Sequence, residues 1–309
     1  MILVFLLYAL FGLSFTLGKI TLYYAKPFFI IGVRMLIGGL GIFGYIYYTK
    51  LIDCRPQIKD WMHYTKIGIF GIFVPYCLRS WGLQYMPSTK AAFIFTLMPF
   101  STALLSYFFH KEKLSTKKIL GLTVGLAGMI PTLLTGSPVE GIYGTIGFIS
   151  LPELAIIAAV ISFSYNLIAL QVLIKHRGCP PLLATGTSTL IGGFLAFNTS
   201  VLFESPLDVI QPHVFWPLLA VQIVVSNLIC SNLQANLLKH YSPTFLAFAG
   251  FLTPICAAFF GWLFLGEQAH LSYILSFVLV LIGLLIFYYD EISKHKNIPE
   301  TMVLDPKEF

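Results

Sequence analysis

Charge is what this 309-residue chain has least of. Only 10 % of its residues are Asp, Glu, Lys or Arg, against about 25 % in an ordinary soluble domain. Acids are the scarcer sign, 13 against 19 Lys and Arg. Every Asp (Asp53, Asp60, Asp208, Asp290, Asp305) falls in a loop, a tail or the edge of an apolar run. The five cysteines, Cys54, Cys77, Cys179, Cys230 and Cys256, show neither paired nor metal-type spacing, which leaves buried free thiols and no disulfide framework. All seven His lie in loops or near run edges, and no two His or acids sit at a helical spacing that would face them together. That removes the acid–base pair an intramembrane lipid-modifying enzyme would need. No metal site and no cofactor motif is expected. No basic segment precedes Ile2 and no small-residue cleavage site follows, so the first apolar run is expected to be retained.

What is present is apolar surface. Hydrophobic residues make up 57 % of the chain, and the mean hydropathy is +0.84. Ten runs of roughly membrane length follow one another, near 2–19, 27–48, 65–84, 89–109, 117–135, 152–174, 181–203, 213–237, 243–264 and 269–289. They are continuous and do not alternate, which predicts an all-α membrane protein of ten transmembrane helices and excludes a barrel. Pro27, Pro87, Pro152 and Pro243 open runs, where a missing backbone donor is tolerated. The basic residues are divided unequally between alternate loops. One set holds Lys50, Arg55, Lys59, Lys66, Lys111, Lys113, Lys117, Lys118, Lys175, Arg177, Lys239 and the tail lysines, and the other holds only Lys26 and Lys90. The positive-inside rule then places both termini in the cytoplasm. The net charge of +6 reflects this topology, so the expected partner is a lipid bilayer and not nucleic acid. The sequence does not fix an oligomeric state.

The chain is also duplicated. Pro99 and Pro254, Glu112 and Glu267, and Gly128 and Gly283 are each 155 positions apart, and Tyr85 pairs with Tyr241 at 156. A period of half the chain is too long for a solenoid. Five spans per copy is an odd number, so the copies must cross the membrane in opposite senses. The expected organisation is a first five-helix repeat over 1–136, an outer connecting loop over 137–151, a second repeat over 152–290 and a cytoplasmic tail over 291–309. Inverted repeats of this kind are a plan of secondary transporters, with the substrate site between the halves near the midplane.

The chain resembles the drug/metabolite transporter superfamily in its ten-helix, EamA-type branch. The residues that carry the resemblance are Phe11-Gly12, Phe15 and Lys19, then Pro27 and Arg34, then Trp81-Gly82-Leu83-Gln84-Tyr85, Pro99, Glu112 and Gly121 to Gly128. A second copy follows in Tyr241, Pro254, Gly266-Glu267 and Gly283. Phe11 stands where the family usually has Trp. The resemblance implies a multi-pass transporter of a small polar metabolite in a bacterial inner membrane. Within the superfamily it resembles carriers of obligate intracellular bacteria that exchange S-adenosylmethionine for S-adenosylhomocysteine. Exporters of amino acids or amphipathic compounds use the same frame and stay open.

Ionisable side chains inside spans cost about 2.5–3.5 kcal/mol each on insertion scales, so each needs a reason. Arg34 and Arg79 are the candidates for holding a carboxylate, whose two oxygens match the guanidinium fork. Tyr76, which shares a face with Arg79, and Trp81 could stack on a flat ring. Ile30, Gly38, Gly41 and Tyr45 share the Arg34 face, which is expected to point into the bundle. Lys19 and Lys90 are expected to snorkel to the interface. In the second half, Tyr165 and Asn166 form one polar cluster with Ser162, and Asn227, Ser231 and Gln234 form a stripe expected to line a cavity. Glu112 and Glu267 end spans at matching positions and should serve helix termini. Glu153 is the one acid that could enter the membrane. That scarcity favours uniport or exchange over proton coupling.

Overall fold

The computed structural model describes residues 2–49, 60–110, 116–135, 144–146, 149–204, 208–241, 243–268 and 270–296. They form an all-helical bundle of ten rods with one small hairpin. α1 (Ile2–Thr21) and α2 (Pro27–Thr49) are continuous. α3 is composite, with Trp61–Lys66, a π-helical stretch Ile67–Phe73 and then Val74–Leu83. α4 spans Ser88–Phe108. α5 consists of Thr116–Gly128 and the short turn Ile130–Leu133. The hairpin pairs β1 (Thr145–Ile146) with β2 (Ile149–Ser150), Thr145 opposite Ser150. α6 (Leu151–His176), α7 (Pro181–Phe203), α8 (Pro212–Leu237) and α9 (Pro243–Leu265) follow, and α10 is Leu271–Lys296.

Seven of these rods are long and apolar enough to cross a membrane: α1, α2, α4, α6, α7, α8 and α9. Shorter apolar helices, Ile119–Leu133 and Leu271–Phe287, lie in α5 and α10. Many large apolar side chains point outward, among them Leu40, Phe194, Trp262 and Leu275. A surface of that kind suits hydrocarbon and not water.

The contacts obey an exchange of halves. α1 packs on α9 as α6 packs on α4, α3 on α6 as α8 on α1, and α3 on α7 as α8 on α2. The pairs α2–α7, α5–α10 and α4–α9 map onto themselves. At the α5–α10 crossing the backbones touch. A Cβ on Gly121 would lie 2.5 Å from the Gly283 carbonyl oxygen, so these two glycines are where the two helices need to come together.

The duplicated prolines break their helices. Pro99 cannot donate to the carbonyl four residues back and crowds it. α4 accordingly tightens into a 3₁₀ turn at Phe95–Leu97. α9 is interrupted between Pro243–Ala249 and Leu252–Leu265, at Gly250 and Phe251, four and three residues before Pro254. The π-helical stretch of α3 also has a partner, Ile223–Cys230 in α8.

The buried and half-buried charges at the hairpin end of the bundle tie helix ends together. Gly266 has φ +65° and closes α9, with the Glu267 amide returning to the Gly261 carbonyl at 3.1 Å. The turn aims the Glu267 carboxylate at the start of α4. There it accepts from the Ser88 amide at 2.7 Å, the Thr89 amide at 2.9 Å and both hydroxyls. Glu267 therefore serves a helix terminus, as its position in the repeat implied; Glu112 lies outside the described residues. Glu204 does the same for α2, accepting from the Phe28 and Phe29 amides at 3.0 and 2.9 Å. Anions at helix N-termini answer both the unpaired donors and the helix dipole.

Lys90 does not snorkel, and the Lys19 ammonium, at the edge of the bundle, is engaged by backbone carbonyls. Lys19 Nζ donates to the Leu83 and Gln84 carbonyls at 2.8 and 3.0 Å, closing the C-terminal end of α3. Lys90 is fully buried, donates to the Thr135 carbonyl at 3.0 Å and pairs with Glu153 Oε1 at 2.7 Å. Glu153 is itself the third residue of a capping box. Its Oε2 accepts from the Ser150 amide and hydroxyl at 2.6 and 2.9 Å. Asp60 is held by Arg177 Nη1 at 2.7 Å. Cys77, Cys179 and Cys230 are buried thiols and Cys256 is partly so, all free; Cys54 lies outside the described residues.

Candidate functional site

The site begins with a stripe of rings on α1. Tyr8, Phe11 and Phe15 recur at helical spacing and line one side of a cavity in the bundle centre. α3 contributes Tyr76 and Arg79, α4 contributes Phe95 and Met98, α6 Phe163, α8 Gln234, and α9 Gly250 and Thr253. Phe95 and Gly250 are the residues at the two proline-induced breaks, so the duplicated prolines open the helix backbones at the cavity wall. Four pairs of lining residues stand 155 positions apart: Tyr8 and Phe163, Arg79 and Gln234, Phe95 and Gly250, Met98 and Thr253. The cavity thus sits where the two halves exchange.

Two arginines serve one ring. The guanidinium carbons of Arg34 and Arg79 each lie 5.2 Å from the Tyr76 ring centre, and that of Arg79 lies 4.9 Å from the Phe15 ring centre. Arg34 is fully buried and Arg79 is 4 % exposed. With the Gln222 amide oxygen turned toward its donors, it accepts from Arg34 Nη1 at 2.8 Å and from the Gly18 amide at 3.3 Å. Arg34 Nε and Nη2 and Arg79 Nε meet no hydrogen-bonding partner among the described residues, and no described carboxylate pairs with either arginine. Cation–π contact softens this burial but does not neutralise it.

A second, polar compartment adjoins the first through Tyr76 and Gln234. It is lined by Ile67, Ile72, Asn166, Leu170, Thr185, Ser188, Thr189 and Ser231. The two compartments hold about 50 and 20 Å³, far below the ~300 Å³ lower bound of ordinary ligand pockets. The site is closed in this structure, and a metabolite enters only if the helices part. The larger opening lies at the hairpin end, a vestibule of about 480 Å³ lined by Lys19, Tyr23, Lys26, Trp81, Gln84, Tyr85 and Glu204 among others. Burial, and then the Glu267 carboxylate, push the Tyr23 phenol up from its ordinary pKa.

Of the residues proposed from sequence, Tyr76, Arg79 and Gln234 meet at the cavity, and Asn166 and Ser231 line the polar compartment. Arg34 stands behind Tyr76. Trp81 lies elsewhere, in the vestibule, with its ring 5.5 Å from Tyr85. Tyr165 packs edge-on against Phe70 at 6.2 Å, outside both compartments. Asn227 also leaves the expected stripe. Its amide nitrogen reaches Met35 Sδ at 2.9 Å and its side chain fills the space over Gly38. The reason is the π-helical stretch Ile223–Cys230, whose wider turn rotates Asn227 away from the face holding Ser231 and Gln234. Ser231 and Asn232 donate back to the Ser226 and Asn227 carbonyls five residues earlier, at 2.9 and 3.4 Å. On α2, Ile30, Arg34 and Gly38 do face inward, but Gly41 and Tyr45 are exposed.

Sequence reasoning missed the ring stripe on α1, Phe95, Phe163, Met98, Thr253 and Gln222 as site residues. The i, i+3, i+7 spacing of Tyr8, Phe11 and Phe15 was the available signal, masked by an aromatic content of 16 %.

Residues 1–134 and 150–289 match the model of the EamA-like transporter family. The chain belongs to the EamA-like transporter family. It is a multi-pass membrane transporter and not an enzyme. Among proteins of assigned role, it is 32 % identical to an S-adenosylmethionine/S-adenosylhomocysteine transporter of Chlamydia muridarum, covering 94 % of this chain and 91 % of that protein. The protein of the same name from Chlamydia trachomatis serovar L2 is 33 % identical over 94 % of this chain and 89 % of its own. A solved crystal structure superposes with a TM-score of 0.67 at 17 % identity, covering 96 % of this chain and 97 % of the other, a likeness of fold.

Proposed function

We propose that this transporter takes up S-adenosylmethionine in exchange for S-adenosylhomocysteine across a bacterial inner membrane. In this reading all ten rods span the bilayer as two inverted repeats, 1–136 and 152–290, joined by an outer loop at 137–151. Both termini and the 291–309 tail are cytoplasmic. The hairpin end with its vestibule then faces outward.

The observation that carries the proposal is the pair of buried guanidinium groups sharing Tyr76, with no described carboxylate to balance them. A ligand carboxylate supplies the missing charge, and Arg79, which lines the cavity, is the group that receives it. The rings of Tyr8, Phe11, Phe15, Phe95 and Phe163 suit a flat base, and their faces suit a sulfonium cation. The similarity to the two chlamydial transporters supports the same substrate pair. Glu153, Glu204 and Glu267 are engaged at helix ends, which favours exchange without a proton relay.

The test is uptake. Cells expressing the protein should accumulate labelled S-adenosylmethionine, and unlabelled S-adenosylhomocysteine should compete and drive efflux. Accumulation no greater than vector controls would remove this substrate pair, and a panel of amino acids and amphipathic compounds in proteoliposomes would then find the cargo.

A further inference from the structure

The polar compartment has a chemistry opposite to that of the two-arginine side of the bundle centre, on equivalent scaffold positions. Gly38-Gly39 of α2 and Gly192-Gly193 of α7 stand 154 positions apart in helices that both open on a proline, Pro27 and Pro181. They make mirrored contacts: a Cβ on Gly39 would meet the Leu190 side chain, and one on Gly193 would meet Met35 and the Leu36 amide. The same offset carries Arg34 onto Ser188. The 155 offset of α1 and α6 carries Phe11 onto Asn166 and Phe15 onto Leu170, and that of the cavity wall carries Arg79 onto Gln234. A guanidinium becomes a hydroxyl, a ring becomes an amide, and a second guanidinium becomes an amide.

Two groups in the polar compartment lack partners. Ser188 is 1 % exposed and Asn166 7 %, and neither the Ser188 hydroxyl oxygen nor Asn166 Oδ1 has a hydrogen-bonding partner among the described residues. Buried polar atoms left in that condition destabilise the empty site and favour a ligand that completes them. The compartment lining includes no Asp, Glu, Lys, Arg or His. An acceptor-only oxygen on Asn166 and a donor–acceptor hydroxyl on Ser188, lining one compartment, ask for a group that both donates and accepts, without charge.

We infer that the polar compartment is the second lobe of the substrate site and binds the hydroxyl groups of a neutral, hydroxylated ring such as a sugar, while the Arg79 lobe holds the carboxylate. The inference rests on the reading of the central cavity as the substrate site. Because the residues of the polar compartment and those around Arg34 and Arg79 occupy equivalent positions of the two halves but differ in charge, the ligand is held in one orientation only. The 20 Å³ compartment now has room for about one water-sized group, so the lobe widens when the helices part to admit ligand.

The experiment compares a ligand with its deoxy analogues. Purified protein in detergent is titrated with S-adenosylhomocysteine and with analogues lacking the 2′- or the 3′-hydroxyl, read by shift in melting temperature, and the same compounds compete in uptake. Wild type should bind the parent at least tenfold more tightly than one of the two analogues. Ser188→Ala and Asn166→Ala should each weaken the parent toward the analogue and so shrink that ratio, with protein yield and the melting temperature of the unliganded variants as folding controls. Equal binding of parent and both analogues by wild type would overturn the second lobe while leaving S-adenosylhomocysteine as a ligand. If wild type does not bind S-adenosylhomocysteine, the substrate reading fails instead. The lobe is then tested with ribose-bearing nucleosides against their deoxy forms, and no difference there overturns it as well.

Discussion

Arg34 on α2 and Arg79 on α3 hold their guanidinium carbons at the same distance, 5.2 Å, from the ring of Tyr76. Like charges converge on one aromatic ring with no described carboxylate between them. Arg34 is anchored by the Gln222 amide and walled off from the cavity, whereas Arg79 lines it. The first is placed to steady the Tyr76 ring from behind, and the second to receive a ligand.

Arg79→Ala is therefore expected to lower uptake of a carboxylate-bearing substrate at least tenfold, equivalent to about 1.4 kcal/mol. Arg79→Lys should not restore it, because an ammonium lacks the planar fork. A methyl ester of the substrate should bind the alanine variant and wild type alike. Full transport by Arg79→Ala, at equal membrane abundance, would sink the carboxylate clamp.

The ring stripe on α1 carries a graded expectation. Phe15 lies against Arg79 and lines the cavity, so Phe15→Leu keeps volume but loses the π face. Cation–π contacts are worth roughly 0.5–2 kcal/mol, which puts the expected rise in KM at about twofold to thirtyfold. Trp81→Leu, in the vestibule, should change KM less than Phe15→Leu does. Initial rates over a range of substrate concentrations separate the two.

The Lys90–Glu153 pair is buried on both sides, and removing one partner leaves the other charge stranded. Lys90→Met and Glu153→Gln should each lower the melting temperature in detergent. The double variant should recover part of the loss, since breaking a buried pair costs about 3–5 kcal/mol while replacing both members often costs little. Additive losses in the double-mutant cycle would mean the two residues act independently.

Glu267→Ala strips α4 of the carboxylate that serves its first two amides and both hydroxyls. A loss of about 1–2 kcal/mol is expected from the cap and dipole together, and Glu267→Gln should lose less because it keeps an acceptor oxygen. Thermal unfolding monitored by fluorescence checks both.

Exchange should continue when the proton gradient is collapsed. Glu153, Glu204 and Glu267 hold helix ends, and none of them lines the central cavity or the polar compartment. Counterflow in proteoliposomes with and without a protonophore is the measurement. Loss of counterflow on adding protonophore would require a proton path through other residues.

Hydropathy and spacing by themselves determined that this chain is helical, apolar and duplicated, because span length and run continuity are local properties. They also located the working halves of the repeat. Pro99 and Pro254 had to break their helices wherever those helices lay, and Gly266-Glu267 had to turn a carboxylate back at a helix end. Arg79 and Gln234 stood out because polar groups in hydrocarbon need a reason.

Tertiary structure decided the rest. Lys90 looked like an interfacial lysine until α6 brought Glu153 to it, a partner no spacing rule could supply. Asn227 belonged to the α8 stripe on an ideal 3.6-residue period, but the π-helical turn around it changed the phase and sent it to Met35. Tyr76 shared a face with Arg79 from the outset, but it acquired Arg34 only through the packing of α2 on α3. Periodicity fixes which face of a helix a residue occupies; which neighbour that face meets is settled by how the ten rods pack on one another.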